Sequence, residues 1–388
     1  MVPISYSLRN LRVRATTTAA TALGVGLVVF VFASVLMLGE GIKRTLGRGG
    51  SPDVAVVLRD GSDAELSSGI ELPSAGIILN APDVRRRADG RPDGVAESVV
   101  VIVLDKLGTE GVSNVTIRGI TDDAFPFRPS VRIVEGRAPR PGSDECVVGA
   151  AIRGRFAGLL PGQSFEVKKN RRLSVVGVIA DGGSAYESEV WVDREVLRAA
   201  FGRESSVSSV RVRLTSPGAF DALRSSLEGN RQLGVDVKRE TVWLEEQSQG
   251  TSMFIRAIGL LVAVFFSIGA MIGAMITMHA AVAARQREIG TLRALGFSKL
   301  SILASFLLES VALSLLGGAL GATGALAMRF VHFSIVNFAS WSEVVFEFYP
   351  TPGILLASLV FAGGMGLLGG MFPAARAARM GVLDALRG

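Results

Sequence analysis

Four apolar runs, each long enough to cross a lipid bilayer, leave this sequence few ways to fold. A helix rises about 1.5 Å per residue, so roughly 20 apolar residues span the hydrocarbon core. The first run, Thr18 to Leu38, is free of charge. The second, Phe254 to Val282, carries only Arg256 near one end, where a long side chain can snorkel to the interface. The third, Ile302 to Met328, contains one acid, Glu309, and the fourth, Ile354 to Phe372, lies between Pro352 and Pro373. A chain that is 49% hydrophobic over 388 residues fits the membrane class. The expected fold is four transmembrane helices, at 18–39, 253–282, 301–328 and 353–373. One large mixed α/β domain, 40–252, falls between the first two. An amino-terminal segment 1–17, a loop 283–300, a short loop 329–352 and a tail 374–388 complete the chain.

Arg9, Arg12 and Arg14 would also suit a secretory leader. The apolar core is longer than a leader's, however, and Glu40, Lys43 and Arg44 follow it without a clear small-x-small cleavage site, so an uncleaved helix is expected. Basic residues of short loops set orientation. The amino end has those three arginines, the second loop has Arg285, Arg287, Arg293 and Lys299, and the tail has Arg376, Arg379 and Arg387. The loop between spans three and four has only Arg329, against Glu343 and Glu347. Both termini are therefore expected in the cytoplasm and residues 40–252 outside. Arginines facing anionic lipid account for much of the net charge of +6 without any nucleic acid.

The exported segment alternates valine- and isoleucine-rich runs with glycine and proline punctuation, which predicts strands at Asp53–Leu58, Val95–Leu104, Ser113–Ile120, Glu145–Val148, Leu173–Ile179, Val190–Val192 and Ser209–Leu214. Helices are expected at Pro217–Glu228 and Arg194–Phe201. The junctions 36–46 and 240–256 read either as helical stalks or as linkers. The single Cys146 cannot pair within the chain and suits a buried strand position in ECVVG.

Much chemistry is missing. The sequence has no GxxxxGK[ST] phosphate loop, no HExxH and no GxSxG elbow, and its two histidines, His279 and His332, lie far apart, so neither an enzyme nor a metal site is expected. Glu309 is a weak intramembrane candidate, placed where a partner or snorkelling is cheap. Small residues four apart, Gly269 and Gly273, Gly317 and Gly321, Gly366 and Gly370, predict close helix packing within or between protomers.

Residues 283–300, AARQREIGTLRALGFSKL, place Ile289, Leu292 and Leu295 on one face among Arg285, Arg287, Glu288 and Arg293, and Gly296 then Ser298 read as a helix stop and a new start. Such a helix could lie on the membrane, enter a partner's groove, or simply turn the chain.

REIGTLRALGFSKLSI, followed by FLLESVALSLLGGALGA, resembles the FtsX-like permease domain of ABC transporters, the group that includes MacB and the lipoprotein-releasing LolC and LolE. The first span with its exit, ALGVGLVVFVFASVLMLGEGIKR, and the closing PAARAARMGVLDALRG resemble the same family. The resemblance implies a MacB/FtsX-type permease of the bacterial inner membrane that works by mechanotransmission. Cytoplasmic ATPase subunits, which bind ATP and Mg as a dimer, would drive the outer domain through rigid helices. Arg287, Glu288, Ile289, Leu292, Arg293, Leu295 and Gly296 would then form the coupling helix on the ATPase. A second permease copy or sibling is implied, and a periplasmic adaptor and outer-membrane channel where there are two membranes. With no ATPase segment ahead of its first span, the chain resembles the split systems. Export or extraction of a substrate, lipoprotein release, and non-transporting activation of a cell-wall hydrolase or sensor all stay open.

Overall fold

The computed structural model describes residues 15–381 apart from 49, 338 and 339. Arg9, Arg12, Arg14 and Arg387, and the last part of the closing arginine motif, lie outside the described residues. Helices follow the chain as α1 (Ala15–Gly47), α2 (Leu72–Leu79), α3 (Ala124–Phe127), α4 (Arg194–Phe201), α5 (Phe220–Gly229), α6 (Glu240–Ala283), α7 (Gln286–Ala294), α8 (Lys299–Leu326) and α9 (Pro352–Arg379). Strands are β1 (Val54–Arg59), β2 (Ile70–Glu71), β3 (Gly94–Asp105), β4 (Val112–Ile120), β5 (Arg132–Gly136), β6 (Glu145–Gly149), β7 (Ser164–Lys168), β8 (Arg171–Ala180), β9 (Glu189–Asp193), β10 (Ser206–Val207), β11 (Ser209–Arg213), β12 (Val235–Arg239), β13 (His332–Val336) and β14 (Glu343–Glu347).

Two compact units divide these elements. The helical unit is drawn from Met1–Gly41, Met253–Val331 and Phe348–Gly388, and the α/β unit from Ile42–Ser252 and His332–Glu347. Among the described residues four helices, α1, α6, α8 and α9, are long and apolar enough to cross a membrane. The first two are longer than their spans require: α6 has 44 residues, or roughly 66 Å at 1.5 Å each, and α1 has 33. Both junctions are therefore helical.

In the helical unit, glycines bring backbones together. A Cβ on Gly317 would overlap the carbonyl oxygen of Ala22, and one on Gly321 that of Gly26, so α1 and α8 meet main chain to main chain. Gly366 and Gly370 of α9 admit Ser314 and Ser310 of α8, and Ser310 Oγ donates to the Gly366 carbonyl at 2.7 Å. Gly269 and Gly273 make no such approach within the chain: both face outward from α6, and nothing beyond the helix's own backbone lies within 4 Å of a Cβ at either. Pro373 does not end the fourth helix, which continues to Arg379. The ring's usual clash is with the backbone four residues earlier, here Gly369, where no side chain adds crowding.

The α/β unit is built on a ten-stranded sheet in the order β12-β1-β11-β3-β4-β9-β6-β8-β5, with β7 on β8. Neighbours are antiparallel except β4 with β9 and β6 with β8. One apolar core packs α2 and α5 on β1, β11 and β12 through Ala55, Val57, Ile78, Val210, Leu223 and Val237. A second gathers Val100, Ile102, Ile117, Val148, Val192 and Leu197 around Cys146. The twelve-residue β3 serves both, giving Ala96 to the first and Val100 to the second.

Where β3 passes between the cores, charged side chains are buried in place of apolar ones. Arg118 donates to Glu189 at 2.7 Å and to Glu65 and Glu97 at 3.0 Å. Arg211 donates to Glu65 and Glu97 at 2.9 Å, and Arg128 to both oxygens of Glu97 at 2.7 and 2.8 Å. Arg128 also stacks within 5.0 Å of the Tyr186 ring centre. All six charged groups are buried.

Candidate functional site

The turn between the second and third long helices is closed at both ends by local hydrogen bonds. After α7, Gly296 takes φ +91°, a conformation that favours glycine. Its N–H donates to Arg293 O at 3.1 Å and that of Phe297 donates to Leu292 O at 3.1 Å, the paired bonds of a Schellman motif. Ser298 then caps α8, its Oγ accepting from the Ser301 N–H at 3.2 Å. Four residues, Leu295 to Ser298, thus connect α7 to α8.

Beneath the turn, Met278 and Val282 of α6, Ile289 of α7, Ile302 and Phe306 of α8, and Ala374 and Ala377 of α9 form one core. Beside it, Arg285 Nη1 lies 2.9 Å from Glu309 Oε2, with both residues buried. The guanidinium also lies 6.0 Å from the Phe306 ring centre. The candidate acid of the third span therefore has a partner, supplied by the residue that caps α7. The sequence shows both residues, but as a loop charge and a span charge; only the helix reversal brings them together.

The structure separates the sequence-predicted coupling residues. Ile289 is 2% exposed and packs inward with the helical core rather than on the exposed face of α7. Leu292 and Arg293 are half-buried, and Arg293 Nη1 donates to Phe297 O at 3.3 Å. Arg287, Glu288, Thr291 and Leu295 are exposed, and their spacing of four and seven places them on one helix face. Gly296 is exposed at the corner. Leu295 at 72% and Leu300 at 74%, either side of the corner, are its most exposed leucines. Among the described residues, no group of three or more His, Cys, Asp or Glu could hold a metal.

Comparison with known proteins matches residues 18–230 to a MacB-like periplasmic core domain and residues 260–382 to an FtsX-like permease C-terminal domain. The chain belongs to the MacB/FtsX-like family of ABC transporter permeases. Within this family it is 29% identical over 210 residues to the uncharacterized ABC transporter permease YknZ of Bacillus subtilis, an alignment covering 52% of this chain and 49% of YknZ. It is 28% identical over 227 residues to the macrolide export ATP-binding/permease protein MacB of Escherichia coli, covering 56% of this chain and 34% of MacB. The chain thus matches about half of one relative and a third of the other. Among solved structures, the periplasmic region of MacB from Actinobacillus actinomycetemcomitans matches 50% of this chain and 92% of its own length, at 14% identity and a TM-score of 0.38. The extracellular domain of YknZ matches 48% and 99%, at 16% identity and 0.35. The FtsX-like match encloses the whole α6–α8 turn, and the periplasmic match encloses most of α1 and most of the α/β unit.

Proposed function

We propose that this chain is the permease subunit of an ABC transporter in which a separate ATPase dimer, acting on α7, moves the α/β domain and so exports or extracts a substrate on the outer face. The observation that carries this reading is the turn itself: a short helix with one face sunk in the helical core and the other exposed, tied to α8 by the buried Arg285–Glu309 pair. The exposed charges suit recognition and register on a partner surface, and Leu295 supplies an apolar anchor. A displacement of α7 is passed to α8, because separating two buried charges costs several kcal/mol. With both termini inside, as the loop arginines favour, the turn is cytoplasmic and the α/β domain lies outside.

Co-purification with the candidate ATPase tests this. Wild-type chain is expected to retain the ATPase through affinity capture, and an Arg287→Ala, Glu288→Ala, Leu295→Asp variant to lose it while remaining folded and membrane-inserted. Equal retention by the variant sinks the assignment of α7 as the main contact.

A further inference from the structure

The loop between the third and fourth long helices is a β-hairpin built into the α/β domain. Strands β13 and β14 pair from His332 with Glu347 through Val336 with Glu343. Val345 joins the second core beside Val115, Ile117 and Val190. Glu343, 3% exposed, accepts Lys106 Nζ at 2.5 Å and Arg155 Nη2 at 3.0 Å. Three further bonds cross the seam: Ser188 Oγ accepts the Val345 N–H at 3.1 Å, Thr116 Oγ1 donates to Ser342 Oγ at 2.7 Å, and Asn114 Nδ2 donates to Trp341 O at 2.6 Å. This is a core segment donated from elsewhere in the chain rather than a surface loop.

Chain connectivity gives the hairpin a mechanical meaning. The helical and α/β units are joined at 41–42 and 252–253, but also at 331–332 and 347–348. We propose that the hairpin is a strap through which α8 and α9 pull on the α/β domain, a route independent of the extended helices α1 and α6. The inference rests on the coupling reading above, since α8 is the helix that Arg285–Glu309 ties to α7. Glu343 is the positioning residue. It is the buried acid of the seat, whereas its partners Lys106 and Arg155 are each about one-third exposed and can be hydrated if the acid is removed.

The test uses the full chain in lipid nanodiscs with the ATPase identified by co-purification, and reads amide hydrogen exchange with and without a non-hydrolysable ATP analogue. In the Glu343→Ala variant the β13–β14 amides are expected to exchange about tenfold faster without nucleotide, as loss of charged hydrogen bonds implies. The nucleotide-dependent change in the α/β strands is expected to be mostly lost. Adding Thr116→Cys and Ser342→Cys, whose native oxygens are 2.7 Å apart, is expected to restore that change when the pair is oxidised and not when it is reduced. If the variant's hairpin loosens while its strands respond to nucleotide as in wild type, the strap is overturned and the coupling reading stands. If wild type itself shows no nucleotide response, the coupling reading fails and the strap fails with it.

Discussion

Glu65 and Glu97 sit among guanidiniums in the seam of the α/β domain, and the balance of two opposing effects sets their charge. Burial pushes each carboxyl toward the neutral form, but for Glu65 the charges of Arg118 and Arg211 outweigh it, and for Glu97 those of Arg128, Arg118 and Arg211 do. Glu65 is held well below the usual carboxylate range and Glu97 below it. A depressed folded-state pKa stabilises the fold fully above the unfolded value and is lost as pH falls through the folded one. Thermal unfolding of the α/β domain in the full chain should therefore show this contribution intact from neutral pH down to about pH 5, then declining under acid. Glu65→Gln should flatten that decline. At neutral pH Glu97→Ala should cost about 3–5 kcal/mol, because it strands the buried Arg128. Sequence reading did not find this network. Its members are scattered from residue 65 to 211 and look individually like ordinary surface charges, and only strand pairing makes them neighbours.

Helix α8 uses its glycines where another backbone arrives, and α6 carries the same spacing where none does. Gly321→Ala would drive a methyl into the Gly26 carbonyl and should destabilise the helical unit by about 1–3 kcal/mol. Gly269→Ala, with open space around it, should be neutral or stabilising by up to about 1 kcal/mol. Thermal unfolding of both variants in the same detergent distinguishes them, and equal effects would undo the packing argument. The pattern alone could not separate these cases, because spacing fixes which residues share a face but not what that face meets. Strand reading shows the same limit. Alternation and valine content place β1, β3, β4, β6, β8, β9 and β11. They miss the five-residue β7 and β12, β5, whose five residues are all exposed, and the two-residue β2 and β10, which exist only because they pair with each other. The β13–β14 hairpin was missed because a 329–352 stretch between two spans reads as a connection, although EVVF carries its own strand signal.

At the scale of the whole molecule, two units joined four times give a chain whose sidedness can be read directly. Cys146, its single cysteine, is wholly buried in β6, and burial raises its thiol pKa, so it resists labelling while the fold is intact. A cysteine introduced at exposed Glu110 should react with a membrane-impermeant maleimide added to intact cells, and one at exposed Arg287 should react only after permeabilisation. The reverse pattern would invert the proposed topology. Span number and the position of the large domain were legible from hydropathy, because each span is set by the apolar residues of one continuous run. The helical stalks were left open, since the same polar residues serve a helix or a linker until the α/β domain packs against them, as Val56, Leu58 and Trp243 do.

The donated hairpin also dictates an order of events during synthesis. In the proposed topology, residues 42–252 leave the ribosome and cross the membrane well before Glu343 and Val345 exist. Until the third long helix has been made, Lys106 and Arg155 lack the acid they share, and Val345 is not yet available to the core it joins. Completion of its fold is thus a late step of biogenesis, reached only when the membrane-embedded part of the chain is nearly whole.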